Sequence, residues 1–254
     1  MTQIDSYLCE VVRRHKLPDQ IDFYTSVCIV EPLKKMISDW AGQYLVEIKL
    51  SGSRAKGDAI DLSSDLDLFI SLSSVTPCSL KEIYYSLCKY VSNRGIQVRK
   101  QNVSIGIFYQ GRKIDLVPAK RIDSHSDYHN LYKRKQDSRM QTNIDLHINN
   151  VQRSSRVMEI TALKIWKERH NLEFPSIYLE TYALEALSGR TRYDFANNFV
   201  HLLRDIADDF QTRRVVDPAN TNNVLSDDLS VDEKNKIALQ ARSDLNKSWK
   251  LVIW

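Results

Sequence analysis

The chain has few of the residues that staple a fold, break it or anchor it in a bilayer. Its four cysteines, Cys9, Cys28, Cys78 and Cys88, include no CxxC pair. That spacing argues against a disulfide framework or a zinc knuckle and for reduced thiols in a cytoplasmic protein. No apolar run approaches the roughly 20 residues that span a membrane, and no signal-like leader opens the sequence. Seven glycines and six prolines, with no Ser/Gly tract, leave no obvious flexible joint or disordered tail. Internal repeats are missing. So is GxxxxGK[ST], which removes the P-loop kinases and hydrolases. Charge of one sign is scarce too: the net of +4 is a weak pull on polyanions.

What remains is the composition of a globular protein, 43% hydrophobic and 27% charged, long enough for one large domain or two modest ones. Basic residues concentrate between Arg112 and Arg139, where Arg112, Lys113, Lys120, Arg121, Lys133, Arg134, Lys135 and Arg139 face four aspartates. Such a run is a solvated face or a phosphate-binding one. Helical spacing predicts a helix over Ile4–His15 and a spine helix from Gln20 to about Tyr44, kinked or broken at Pro32. Strands are expected at Val46–Leu50 and Leu66–Ile70. A helix follows from Ser79, which forms a capping box with Glu82. Ile96–Arg99 is strand-like, and Val103–Tyr109 with Lys113–Val117 read as a hairpin ended by Pro118.

Residues 119–149 resist assignment. Beyond them helices dominate, over Val151–Arg169, Ser176–Leu187, Arg192–Phe210 and Val231–Trp249, with Val215–Val224 an ordered non-helical crossing. The expected architecture is a bilobal α/β (α+β) fold. Residues 1–149 would carry the mixed sheet and spine, and residues 150–254 a helical lobe.

The chemistry centres on Ser51–Ile70. Gly52-Ser53 follows a strand, and Asp65-Leu66-Asp67 opens the next one. Alternate strand residues share a face, so the two carboxylates point one way and the two leucines, Leu66 and Leu68, the other. Adjacent acids repel unless a cation sits between them, and oxygen-only ligands suit Mg²⁺, with Mn²⁺ as a substitute. A third acid, Asp115, lies in the second hairpin strand between Ile114 and Leu116. His125 and His129 stand four apart, but no cysteine or HExxH accompanies them, so zinc is not expected.

A Gly-Ser, a spacer, an acid-x-acid pair and a distal third acid in that order resemble the nucleotidyltransferase superfamily of the DNA polymerase β type. The segments Ala162–Lys167, Pro175–Glu180 and Asp217–Asn223 resemble the branch containing the oligoadenylate synthetases, the bacterial cGAS/DncV-like synthases and the archaeal CCA-adding enzymes. The likeness covers roughly residues 20 to 250. It implies that Asp65 and Asp67 hold two metals, that Asp115 completes the site, and that Gly52 and Ser53 approach the triphosphate. It also implies that Lys164 offers a cation to the β/γ-phosphates and that Ser176 bonds the same group. The aromatic that the family often places directly after that serine to stack on the base is Ile177 here; Tyr178 follows it as the nucleotide-binding candidate, although Tyr178, Tyr182 and Trp166 read first as core residues. Asp58 departs from the family too, standing where many relatives have threonine.

Two nucleotidyl-transfer activities follow from the resemblance. The first makes a short linear or cyclic oligonucleotide from NTPs, ATP among them, as a second messenger in bacterial anti-phage defence. It carries with it a nucleic-acid or protein activator. The alternative extends an RNA 3′ end such as that of tRNA; the sequence contains no counterpart of the tRNA-gripping region of the CCA-adding enzymes, which favours the small product. A silent nucleotide sensor would not need all three acids. Asp217–Asn223 reads as structural.

Overall fold

The computed structural model describes residues 3–63 and 65–254, so Ser64, inside the motif stretch, lies outside the described residues. In chain order the elements are α1 (Gln3–His15), a π-helical stretch (Thr25–Val30), α2 (Glu31–Ala41), β1 (Leu45–Ser51), α3 (Gly52–Lys56), β2 (Leu66–Leu72) and α4 (Leu80–Ser92). There follow β3 (Val98–Lys100), β4 (Ile105–Tyr109), β5 (Arg112–Arg121), β6 (His129–Lys133), β7 (Ser138–Thr142), α5 (Ile144–Gln152), α6 (Val157–Arg169) and α7 (Ser176–Ala186). The last are α8 (Phe195–Asp209), β8 (Val216–Asp217), β9 (Asn220–Val224), α9 (Val231–Asp244) and α10 (Trp249–Val252).

These fall into two compact units. One comprises residues 18–55 and 65–145; the other collects residues 1–17, 56–64 and 146–254. The partition is therefore discontinuous, unlike the single cut near residue 150 expected from composition. The reason is packing: Leu8, Val11 and Val12 of α1, and Ile60, belong to the apolar core of the helical unit.

In the sheet unit, strands run β1-β2-β5-β4-β3, with β6 joining β5 and β7 joining β6. β2 and β5 are parallel, and the remaining pairs in this sheet are antiparallel. Leu66, Leu68, Ile70, Ile114 and Leu116 bury one sheet face in a core with Leu33 and Ile37 of α2 and Ile83 and Leu87 of α4. Each fully buried aliphatic side chain contributes about 1.5–3 kcal/mol, so the alternation pins the register. Ser79 caps α4 through the capping box with Glu82, as expected. The spine does not break at Pro32. Proline sits in the first turn of α2, where its missing N–H costs little, and the turn before it widens, Glu31 N–H bonding Ser26 O in π fashion.

The hairpin turn is Gln110-Gly111, both at positive φ (48° and 77°), the pattern of a two-residue primed turn. Pro118 does not end β5, which continues to Arg121. On that flank β4 pairs only to Leu116 and β6 only from Ala119, so a residue without an N–H falls in a gap between partners. The unassigned stretch after it holds the β6–β7 hairpin.

The helical unit packs α1, α6, α7, α8 and α9 around Trp166, Tyr178, Tyr182, Phe199 and Phe210. Trp166 is fully buried and donates its Nε1–H to Asp244 Oδ2 at 2.8 Å. The crossing after α8 is the β8–β9 hairpin. Among the described residues no helix is long and apolar enough to cross a membrane.

Candidate active site

The register of the sheet brings together what the sequence keeps apart. Ser51 pairs with Asp67, Asp67 with Asp115, Asp115 with Gly106, and Gly106 with Arg99. Directly opposed residues share a face, so this row lies on the side away from the leucine-rich core. Asp65, Asp67 and Asp115 are all half-buried. The charge of Asp65 is felt at Asp115.

Burial is the main reason the Asp115 carboxyl stands above its ordinary range. A hydrogen bond from Ser104 opposes that, the Asp65 charge adds to it, and Arg99 and Gln101 pull it back. Gln101 Nε2 donates to Asp115 Oδ1 at 2.8 Å and Ser104 Oγ to Oδ2 at 3.2 Å. Both holders were missed in the sequence, because no motif marks them. Gly106 makes the approach feasible: a methyl there would stand 2.8 Å from Gln101 Nε2 and 3.2 Å from Asp115 Oδ1.

Gly52 fits against Asp67 in the same way. It turns the chain from β1 into α3 at φ +62°, and a Cβ added to it would lie 1.9 Å from Asp67 Oδ2. Ser53 is the second residue of that short helix. We expect Gly52→Ala to cut any activity that depends on the Asp67 carboxylate about 100-fold, or about 2.7 kcal/mol, by pushing that carboxylate aside. The left-handed φ should cost roughly 1–2 kcal/mol of stability besides. Single-turnover rates alongside urea melts separate the two effects.

Among the described residues no three Asp, Glu, His or Cys side chains converge into a ready cage for a metal ion. The donor set nevertheless suits Mg²⁺. Such an ion is ordinarily held by one or two carboxylates together with substrate phosphates, and Asp67 beside Asp115 supplies hard oxygens. The cradle around Asp67, which a single methyl would fill, agrees with that use. A cavity of about 440 Å³ adjoins Asp115, lined also by Arg99, Lys113 and Phe108. Phe108 is 59% exposed.

The other expected residues lie in the helical unit. Lys164 is buried at 5% exposure, its Nζ held 2.7 Å from Asp58 Oδ2 and 2.7 Å from Glu180 Oε1. Lys56 Nζ takes the second Glu180 oxygen at 2.6 Å. Burial works against ionisation of Glu180, but Lys164 and Lys56 outweigh it and hold the carboxyl down at about 2. Asp58 is the weak member: burial, then the Glu180 charge, push it up to about 6 against both lysines. Its place in the fold is thus settled, as a partner for Lys164. Ser176 is exposed and opens α7, with Pro175 at the cap position.

Tyr178 is not placed to stack on a base. It is fully buried, stacked on Phe210 at 5.2 Å and edge-on to Phe174, because α7 turns that face into the core. Ile177, one residue earlier, instead lines a cavity of about 600 Å³ with Thr181 and Leu184 of α7, His147 of α5, and Asp217 and Thr221 of the β8–β9 hairpin. Asp217 Oδ1 lies 2.8 Å from His147 Nε2. Burial raises Asp217, but the His147 hydrogen bond and charge, then Asn223 and the Ala219 amide, leave it below its ordinary range. His129 pairs with Ser71 Oγ at 2.8 Å inside the sheet unit and is buried, a structural role.

A mixed sheet carrying paired aspartates on parallel strands, joined to helices, is the nucleotidyltransferase fold of the DNA polymerase β type. Solved structures bear out the fold. The CdnC of a CdnC:HORMA-deltaN complex from E. coli MS115-1 superposes with a TM-score of 0.70 at 19% identity, over 94% of this chain and 88% of that one. The CdnE cyclic dinucleotide synthase of Elizabethkingia meningoseptica, solved with GTP and Apcpp, gives 0.72 at 13%, over 95% and 98%. A Cid1 poly(U) polymerase H336N mutant bound to MgATP gives 0.70 at 12%, over 98% and 97%. No family model and no curated protein matches the sequence.

Proposed function

We propose that the protein is a Mg²⁺-dependent nucleotidyltransferase that joins nucleoside triphosphates, ATP among them, into a short linear or cyclic oligonucleotide. The observation that carries this is Asp67 abreast of Asp115 on parallel strands, with Gly52 leaving Asp67 the space a side chain would take. Asp65, Asp67 and Asp115 would hold the metal, which supplies charge neutralisation at the α-phosphate and at the attacking and leaving oxygens. Asp115, its carboxyl raised by burial and by Asp65, is suited to orient the attacking hydroxyl and take its proton. Gln101 and Ser104 fix its direction.

The cavity beside Asp115 would take the acceptor. Arg99 and Lys113 offer cations to its phosphates and Phe108 an open ring to its base, within a volume suited to one nucleotide. Gly52 and Ser53 of the sheet unit would face a triphosphate, and within the helical unit Lys164 and Ser176 would offer groups that bind phosphate. The cavity walled by Ile177 and Leu184 suits a base held by apolar contact and by hydrogen bonds from groups such as Thr181 and His147.

The likeness to a cyclic dinucleotide synthase supports the small product, and a signalling role in anti-phage defence is what the resemblance of the sequence motifs implies. That to a CdnC in complex with HORMA-deltaN supports a protein activator. The Cid1 likeness supports the second reading, transfer to an RNA 3′ end. Labelled NTPs with Mg²⁺, with and without tRNA, separate them. Phosphatase-resistant small products without RNA are expected, whereas incorporation only into added RNA establishes the second reading. No turnover under either condition, or with a protein activator, overturns both.

A further inference from the structure

We infer that Asp58 is a positioning residue for Lys164: by pairing with its ammonium it governs whether that lysine can turn to a phosphate, and so sets the pH dependence of anion binding. The inference rests on Lys164 as a phosphate-binding lysine, as proposed above. It starts from a count of charges. Lys56 at the end of α3, Lys164 on α6, Glu180 on α7 and Asp58 form a chain of contacts at 2.6, 2.7 and 2.7 Å, each side chain buried. With Asp58 ionised, two cations meet two anions and Lys164 has no charge to spare. With Asp58 protonated, Glu180 alone serves both lysines, and a buried site carries a surplus positive charge that an anion would neutralise.

Asp58 is the member built to yield. Its Oδ2 has the Lys164 ion pair, but both Asp58 oxygens are buried without a hydrogen bond, whereas each Glu180 oxygen accepts one from a lysine of its own. The charged groups that act on it are Glu180, Lys164 and Lys56, and their balance with burial raises its carboxyl to about 6. A threonine or asparagine at this position would leave Lys164 charged and less firmly held at every pH.

The test is the affinity for ATP of wild type, Asp58→Asn and Asp58→Thr by calorimetry between about pH 5 and pH 8. Near pH 8 both variants should bind about tenfold more tightly than wild type, close to 1.4 kcal/mol, and the gap should close near pH 5. The ratio removes the nucleotide's own titration. A ratio that stays constant with pH, or variants that bind more weakly, overturns the inference. Sulfate, whose charge is constant over this range, gives an arm independent of nucleotide chemistry. Near pH 8 it should raise the Tm of the variants more than that of wild type, and equal shifts overturn the inference even if ATP turns over. If neither variant folds, the wild-type response to sulfate decides: it must grow as pH falls through about 6, and a flat response overturns the assignment.

Discussion

Asp67→Asn is expected to abolish nucleotidyl transfer, by on the order of 10³-fold or more (about 4 kcal/mol), while the protein stays folded. The amide keeps the shape that fills the space beside Gly52, so the packing around it is preserved. What goes is the negative charge opposite Asp115, and with it the oxygen that would face a divalent ion. Stability should hold or rise slightly, because half-buried acids on one sheet face repel each other. The checks are single-turnover rates with each NTP, urea melts, and Mn²⁺ binding followed by electron paramagnetic resonance. Activity within about tenfold of wild type would remove Asp67 from the metal site.

The second large effect is on stability. Glu180→Ala should cost about 3–5 kcal/mol, because it leaves Lys56 and Lys164 buried with one carboxylate between them. Glu180→Gln should cost less, since its amide still offers an oxygen to one lysine. The two acids also predict opposite limbs of a stability profile. Glu180 titrates near 2 in the folded state against an ordinary 4.5, so its contribution is complete above about 4.5 and is lost as pH falls toward 2. Asp58 titrates near 6 against an ordinary 3.8, so the folded state holds its proton longer and stability declines as pH climbs from about 4 to 6. Denaturant melts across pH should show the second limb flattened in Asp58→Asn. An unchanged limb would assign it to another group.

Much of the site was legible because its elements are local. The alternation of Asp65 and Asp67 with Leu66 and Leu68 needs only the two-residue period of a strand, and the capping box at Ser79 needs four consecutive residues. Tyr178 stayed open between core and nucleotide site for the complementary reason. Nothing within a few residues distinguishes an aromatic facing a ligand from one facing a core, and it is the packing of α7 against Phe174 and Phe210 that decides. The β6–β7 hairpin escaped because its strands are polar and basic, with only Leu131 and Tyr132 of β6 and Thr142 of β7 buried beside His129.

By itself the sequence determined which residue types could do the chemistry: three acids flanked by aliphatic residues, a Gly-Ser turn, and a lysine on a later helix. It could not determine which of them meet. Parallel pairing of β2 with β5 sets Asp67 against Asp115, and that register depends on a buried face shared by strands far apart in the chain. The role of Asp58 is likewise tertiary. A carboxylate beside a phosphate-binding turn reads as a misfit until the fold buries it against Lys164, where desolvation favours either a proton on the carboxyl or a charge paired with that lysine.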